Sequence, residues 1–410
     1  MRLREKLLTA RHSSGLWAII DQGIVSIGTF AVTVILARRL PASEFGVFGV
    51  LLGIQVMALT VHTSLIGIPL MVFTGRSTRP DHLPTVALGL AAILTGPFAV
   101  AMTAAVFVLE RPGVLPWAVL ALVGLEIQET LRRSMMGRLQ FRRVAGGDAV
   151  SYLGQAAGAA LVTAVGRPTV SSALGVMGLS SLAAAALQLW QVRPAFGARA
   201  FSRDTVEPFW RLGRALVGIN GIGALTVQAV MWLLGALHGV AAVGSYQALL
   251  AVVSPTNPMM IAANSIVTTR ASNLHEPELG ARRRDELRVA RRYGIALGIP
   301  FAAYCVVLLV APRMALSVFF GPSSAYRSLS TDLRILVGFS IAQYLSFVFA
   351  GVLNARQDTR TLLRSQLAGA VVVPLAVPVI AVGALGAAVA ATSVSALARA
   401  AIAARGVLRR

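Results

Sequence analysis

The chain has almost no lysine, few acids and one cysteine. Of its 37 basic residues only Lys6 is lysine, and Asp and Glu together number 16. Charged residues make up 13% of the 410 residues, against about a quarter in a soluble domain. The lone Cys305 excludes an internal disulfide. There is no GxxxxGK loop to cradle a nucleotide phosphate, which excludes an ATP engine of that type. No His/Cys/Asp group has metal-ligand spacing, and no cofactor motif is present. No polar insert is long enough for a nucleotide-sugar domain. The longest outer loop, about 312–330, has no Asp, Glu or His, which disfavours a membrane glycosyltransferase or ligase.

What the chain has is apolar sequence. Hydrophobic residues are 56% and mean hydropathy is +0.74, more than one soluble core absorbs. A membrane span needs about 20 apolar residues. Twelve apolar stretches lie near 15–37, 45–73, 84–109, 114–136, 145–165, 170–192, 211–237, 241–268, 290–311, 331–354, 363–383 and 384–404. The expectation is an all-α polytopic membrane protein of about 12 transmembrane helices. The first stretch lacks a small-residue cleavage site, so it reads as a span rather than a signal peptide.

The net charge of +21 would suggest nucleic acid in a soluble protein. In a polytopic chain it reflects basic loops facing anionic lipid, so no nucleic acid is expected. With a cytoplasmic N-terminus, 30 of the 37 basic residues fall inside and seven outside: Arg38, Arg39, Arg111, Arg167, Arg313, Arg327 and Arg334. The inside set includes Arg79, Arg199, Arg282, Arg399 and Arg410. The alternation predicts both termini on the cytoplasmic side. Trp17, Trp117, Trp190 and Trp210 near span ends suit an aromatic belt.

The first two spans echo the seventh and eighth at an offset of 198. Gln22-Gly23-Ile24 matches Asn220-Gly221-Ile222, Ala31-Val32 matches Ala229-Val230, and Leu36, Gly46 and Phe48 match Leu234, Gly244 and Tyr246. Gly137, Leu139, Gln140 and Arg142 resemble Gly351, Leu353, Asn354 and Arg356 at an offset of 214. The pattern predicts two parallel six-helix repeats around a central cavity. The halves would be 1–193 and 210–410, joined by a linker over 194–209.

The stretch Ala37-Arg38-Arg39-Leu40-Pro41-Ala42-Ser43-Glu44-Phe45-Gly46-Val47-Phe48-Gly49 resembles a signature of polysaccharide biosynthesis flippases. These are the Wzx-type branch of the multidrug/oligosaccharidyl-lipid/polysaccharide exporter superfamily. Asp21-Gln22, the run Gln128-Glu129-Thr130-Leu131-Arg132-Arg133 and the turn Phe141-Arg142-Arg143 are similar to that family too. The resemblance implies two V-shaped bundles in the bacterial inner membrane. It also implies alternating access that carries a polyprenyl-diphosphate-linked saccharide to the outer leaflet. Partners would be membrane lipids and a downstream polymerase or ligase; a monomer is the expected state.

An ionisable group inside a span costs about 2.5–3.5 kcal/mol or more at the centre, so the few present are site candidates. Asp21 is read as a cation or proton site or a saccharide contact, or as a local cap. Gln22 sits beside it, and its repeat partner Asn220 is uncharged. Glu126 and Glu129 share a helical face, with Arg132 and Arg133 at i+3 and i+4 from Glu129. They form either an interfacial ion pair or an inner gate at which Arg132 or Arg133 receives a diphosphate. Arg38 and Arg39 either snorkel to the outer headgroups or contact substrate. Arg356 repeats Arg142 and is either a gate residue or one more basic loop residue. His62 is a proton-carrier candidate, though a neutral hydrogen-bonded histidine in a bent helix suits its place better. Pro97, Pro255, Pro258, Pro300, Pro374 and Pro378 interrupt spans, most strongly at Ser254-Pro255-Thr256-Asn257-Pro258.

Two rivals stay open. A cation-coupled multidrug exporter of the same superfamily would use Asp21 as its coupling carboxylate. A lipid II flippase would carry arginines in its first span, and Leu16 to Ala37 has none.

Overall fold

The computed structural model describes residues 2–76, 82–166, 168–195, 201–274 and 279–409. Arg79, Arg167, Arg199 and Arg410, and the stretch 196–200 of the linker, lie outside the described residues, as does the side chain of Arg282. Every regular element among the described residues is a helix. Two compact units are present, Met1–Gly221 and Ile222–Arg410.

The first unit contains α1 (Arg2–Arg39), α2 (Ala42–His62), α3 (Ile68–Arg76), α4 (Leu83–Val108), α5 (Leu115–Gly137), α6 (Phe141–Asp148), α7 (Gly154–Val165) and α8 (Val170–Val192). A π-helical turn, Thr63–Gly67, joins α2 to α3, and a second, Ala149–Leu153, joins α6 to α7. Each pair therefore makes one interrupted traverse. Thr169 starts α8 with a reciprocal capping box to Ser172, which satisfies amide groups at the helix start.

Helix α9 (Arg203–His238) crosses from the first unit to the second. Its first half belongs to the first unit because apolar side chains hold it there. Phe209 is buried with Ile66, Leu70, Val86, Ala87 and Ala91, and Asn220 donates to Ser64 Oγ at 3.1 Å. The second unit continues with α10 (Val240–Val253), α11 (Asn257–Ser272), α12 (Leu279–Val310), α13 (Pro312–Phe320), α14 (Ser330–Ala355) and α15 (Thr359–Arg409). The proline-rich break before α11 is a 3-10 turn, Ser254–Thr256. Pro97, Pro300, Pro374 and Pro378 instead sit within continuous helices.

Among the described residues, ten helical segments are long and apolar enough to cross a membrane. Two physical reasons reconcile ten with the expected twelve. The traverse Phe141–Val165 is diluted by Arg142, Arg143 and Asp148. The α15 helix, 51 residues long, would extend about 75 Å at 1.5 Å per residue, over twice the ~30 Å hydrocarbon core. It folds back on itself. Ala384 has φ 46° and ψ −128°. Ser365 Oγ donates to the Arg399 carbonyl at 2.8 Å and Ser395 Oγ to the Gly369 carbonyl at 3.0 Å. Both pairs are symmetric about position 382, so α15 is two antiparallel spans.

Lipid removes the hydrophobic drive between helices, so small residues and side-chain hydrogen bonds hold them. A Cβ on Gly124 of α5 would lie 2.9 Å from the Gly178 carbonyl of α8, and one on Gly178 2.9 Å from Ala121 N. In the second unit Asn264 and Thr268 of α11 donate to the Phe347 and Gly351 carbonyls of α14 at 2.9 and 3.1 Å.

Candidate functional site

Five ionisable residues of the first unit, Asp21, Glu129, Arg132, Arg133 and Asp148, converge. Arg132, five residues before the end of α5, is gripped by carboxylates from three helices. Its Nε donates to Asp148 Oδ2 of α6 at 2.5 Å, its Nη2 to Asp21 Oδ2 of α1 at 2.8 Å, and its Nη1 to Glu129 Oε2 of α5 at 3.3 Å. Glu129 also accepts from Arg133 Nε at 2.5 Å. Both arginines thus meet Glu129, at i+3 and i+4.

Local backbone puts these groups within reach. The two π turns begin directly after His62 and after Asp148. A π turn inserts one residue into the helical repeat and re-aims the side chains beside it. Gly28 of α1 lies against Tyr152 in the second π turn, where a Cβ would come within 2.6 Å of Tyr152 Cβ. This close approach brings α1, and with it Asp21, up to the fifth traverse. At Gly67 a Cβ would lie 3.2 Å from Arg133 Cγ, so the arginine stem runs over the first π turn.

The second layer is neutral. Gln128 Nε2 donates to Asp148 Oδ1 at 3.3 Å, Ser151 Oγ to Gln128 Oε1 at 2.8 Å, and Gln155 Nε2 to Ser151 and Ser181 hydroxyls at 3.1 and 3.3 Å. Such a connected network orients Asp148.

His62 and Glu126 form a separate corner. Thr130 Oγ1 donates to the Glu126 carbonyl at 2.8 Å, so His62 Nε2, 2.8 Å away, must donate to Thr130. Neutral His62 is therefore the Nε2–H tautomer, and its Nδ1 has no partner. Glu126 Oε2 lies 3.7 Å from His62 Nε2, and neither Glu126 carboxyl oxygen has a hydrogen bond. Both residues are buried.

The other expected residues lie elsewhere. Gln22 donates to Ser26 within α1 at 3.4 Å. Arg38 and Arg39 are exposed at the end of α1. Arg356 belongs to the second unit, where its Nε and Nη2 meet Glu286 Oε2 at 2.8 and 2.7 Å. Asp148 was not among the expected residues, although an acid within an apolar stretch is the signal that singled out Asp21. Arg399, counted as a loop residue, is buried within the last span.

Residues 224–398 match the model of the MatE family. That match falls within the second unit and leaves the Arg132 cluster outside it. The whole chain aligns with an inward-facing multidrug resistance MATE family transporter of the MOP superfamily at a TM-score of 0.74. That alignment has 13% identity and covers 94% of this chain and 96% of the other. The fold is that of the MATE transporters. The lipid II flippase MurJ, in an inward closed conformation, shares it at a TM-score of 0.72 with 10% identity, over 96% of this chain and 87% of the other. A MOP superfamily transporter from Pyrococcus furiosus, described as having a binding pocket of reverse polarity, gives 0.61 with 15% identity over 96% and 93%. Among curated proteins none matches this sequence.

Proposed function

We propose that this chain is a flippase of the MOP superfamily carrying a polyprenyl-diphosphate-linked oligosaccharide across the bacterial inner membrane by alternating access. It acts as a transporter and not as an enzyme. Both termini are cytoplasmic in this reading, and a downstream polymerase or ligase consumes the product.

The observation that carries the reading is the state of the intramembrane acids. A pocket for cationic drugs needs carboxylates with charge to offer. Here Asp21, Glu129 and Asp148 are engaged by the chain's own guanidiniums. The cluster is supported by the Ala37–Gly49 resemblance to saccharide flippases and by a fold shared with MurJ.

Of the two arginines, Arg133 is assigned to the diphosphate. All three nitrogens of Arg132 are given to carboxylates, and its side chain is 9% exposed. Arg133 uses Nε on Glu129, and its side chain is 21% exposed. A phosphate at Arg132 would have to displace carboxylates in a medium where an unpaired charge is costly. At Arg133 the terminal nitrogens are the ones to meet it.

One observation favours the second reading, a cation-coupled multidrug exporter. Four carboxyl groups, of Asp21, Glu126, Glu129 and Asp148, face two guanidiniums, and Glu126 is bound by none. The surplus has capacity for a coupling proton or cation beside His62, in either kind of exporter.

Deleting the gene and analysing polyprenyl lipids by mass spectrometry tests the reading. Accumulation of one diphosphate-linked saccharide is the expected result. No accumulation, with new sensitivity to cationic drugs, overturns it in favour of the exporter.

A further inference from the structure

The two units treat buried arginine in opposite ways. In the first, Arg132 is neutralised by three carboxylates. In the second, Arg399 lies in the final span with 4% of its surface exposed, and its Nε and Nη2 have no hydrogen-bond partner. No carboxylate among the described residues pairs with it; Glu286, in the same unit, is paired with Arg356. Asp358 is bound by the Thr361 backbone N–H and hydroxyl.

Chance does not readily leave a guanidinium so. A buried unpaired charge is strongly unfavourable, and in a span it marks a function by default. The place is also built to hold this side chain. Gly369, on the antiparallel partner span, has no Cβ; one there would lie 2.7 Å from Arg399 Cγ and 2.9 Å from Cδ. The Arg399 stem therefore rests on bare backbone. The hydroxyls on either side of it are committed to main chain, Ser365 to the Arg399 carbonyl and Ser395 to the Gly369 carbonyl. They hold the two spans together and do not satisfy the guanidinium.

The two unpartnered atoms identify the ligand chemistry. Nε–H and one Nη2–H of a guanidinium point the same way and form the fork that takes two oxygens of one oxyanion. Arg399 lies six residues from Arg405 on one span and packs against residues six and ten positions from Thr359 on the other. At 1.5 Å per residue these are depths of about 9–15 Å from the helix start, within reach of the phosphate layer of a bilayer. Arg356, Arg360, Arg364 and Arg405 flank the same end of the hairpin, which favours anions there.

We propose that Arg399, seated on Gly369 between the last two spans, is the bidentate anchor of a phosphoryl oxyanion site in the second unit. Two sources supply that chemistry: a phospholipid headgroup and free phosphate. The site is separate from the diphosphate contact assigned to Arg133 and does not depend on the transported substrate.

The test uses the purified full chain. Thermal unfolding is followed in a maltoside detergent, which carries no phosphate, against inorganic phosphate and pyrophosphate and then against added phosphatidylglycerol. The proposal expects saturable stabilisation of the wild type by at least one source, weakened about tenfold or more in Arg399→Gln, since a charge-assisted pair is lost. Arg399→Lys, which keeps charge without the fork, should fall between. Response to the ions identifies free phosphate; response to phosphatidylglycerol alone identifies a headgroup. Arg399→Gln should also be no less stable than wild type without phosphate, because it removes an unpaired charge. If Arg399→Gln does not fold, Arg399→Lys carries the comparison. Equal responses of wild type and variant, or no response of wild type to either source, overturn the proposal.

Discussion

Asp21 and Arg132, 111 residues apart in the chain, meet at 2.8 Å inside the first unit. The contact joins the first span to the fourth, and Arg132 passes it on to the fifth span through Asp148. One guanidinium thereby fastens three traverses.

Breaking that junction from one side should be worse than removing it. Arg132→Met leaves Asp21, Glu129 and Asp148 buried together, and Asp148→Leu leaves Arg132 one partner short. Losing one member of a buried pair costs about 3–5 kcal/mol. The double variant Arg132→Met/Asp148→Leu should be less destabilised than the sum of the two singles. Thermal unfolding in detergent checks this as a double-mutant cycle. Simple additivity would show that the pair is not coupled.

Arg133 separates from Arg132 by readout. Arg133→Gln should fold and reach the membrane yet lose transport, since its ion pair is with Glu129 of its own helix and its side chain is partly exposed. Arg132→Gln should lower membrane protein abundance itself. Transport complementation scored against immunoblotted membranes distinguishes them. Full transport by Arg133→Gln would remove the diphosphate assignment.

Glu126 gives a prediction of opposite sign. Neither carboxyl oxygen is hydrogen bonded and the residue is buried. Glu126→Gln keeps shape and removes the cost of a buried ionisable group, so it should unfold at the same or a higher temperature. If the surplus acids serve coupling, the same variant should slow transport driven by a proton or cation gradient. Unchanged gradient dependence would exclude Glu126 as a coupling group.

Much of this was legible in the sequence, for physical reasons. Spans announce themselves because lipid tolerates few charges, which is why 170–192 and the described α8 coincide. Where polar residues dilute a traverse, as Arg142, Arg143 and Asp148 do in Phe141–Val165, composition weakens while the helix persists. The i+3 and i+4 contacts of Glu129 were readable because helix geometry fixes them. The meeting of Asp21, Arg132 and Asp148 was not, because it depends on how three helices are placed and on two π turns that no spacing rule reports. Arg399 escaped for a different reason. It stands near the end of an apolar run, where a basic residue is assigned to a loop.

The turn at Ala384 carries strain. Its φ of 46° with ψ of −128° is a region that suits glycine, and a non-glycine residue there costs about 1–3 kcal/mol. Ala384→Gly should raise the unfolding temperature, and Ala384→Val should lower it.

The central claim is movement of a lipid-linked saccharide, and reconstitution tests it most directly. The purified protein is placed in liposomes containing a fluorescent short-chain polyprenyl-diphosphate oligosaccharide, and exposure of the headgroup to an impermeant quencher is followed with time. The account predicts protein-dependent transfer between leaflets that Arg133→Gln abolishes. Transfer no faster than in protein-free liposomes, with gradient-driven uptake of a cationic dye by the same vesicles, would contradict it.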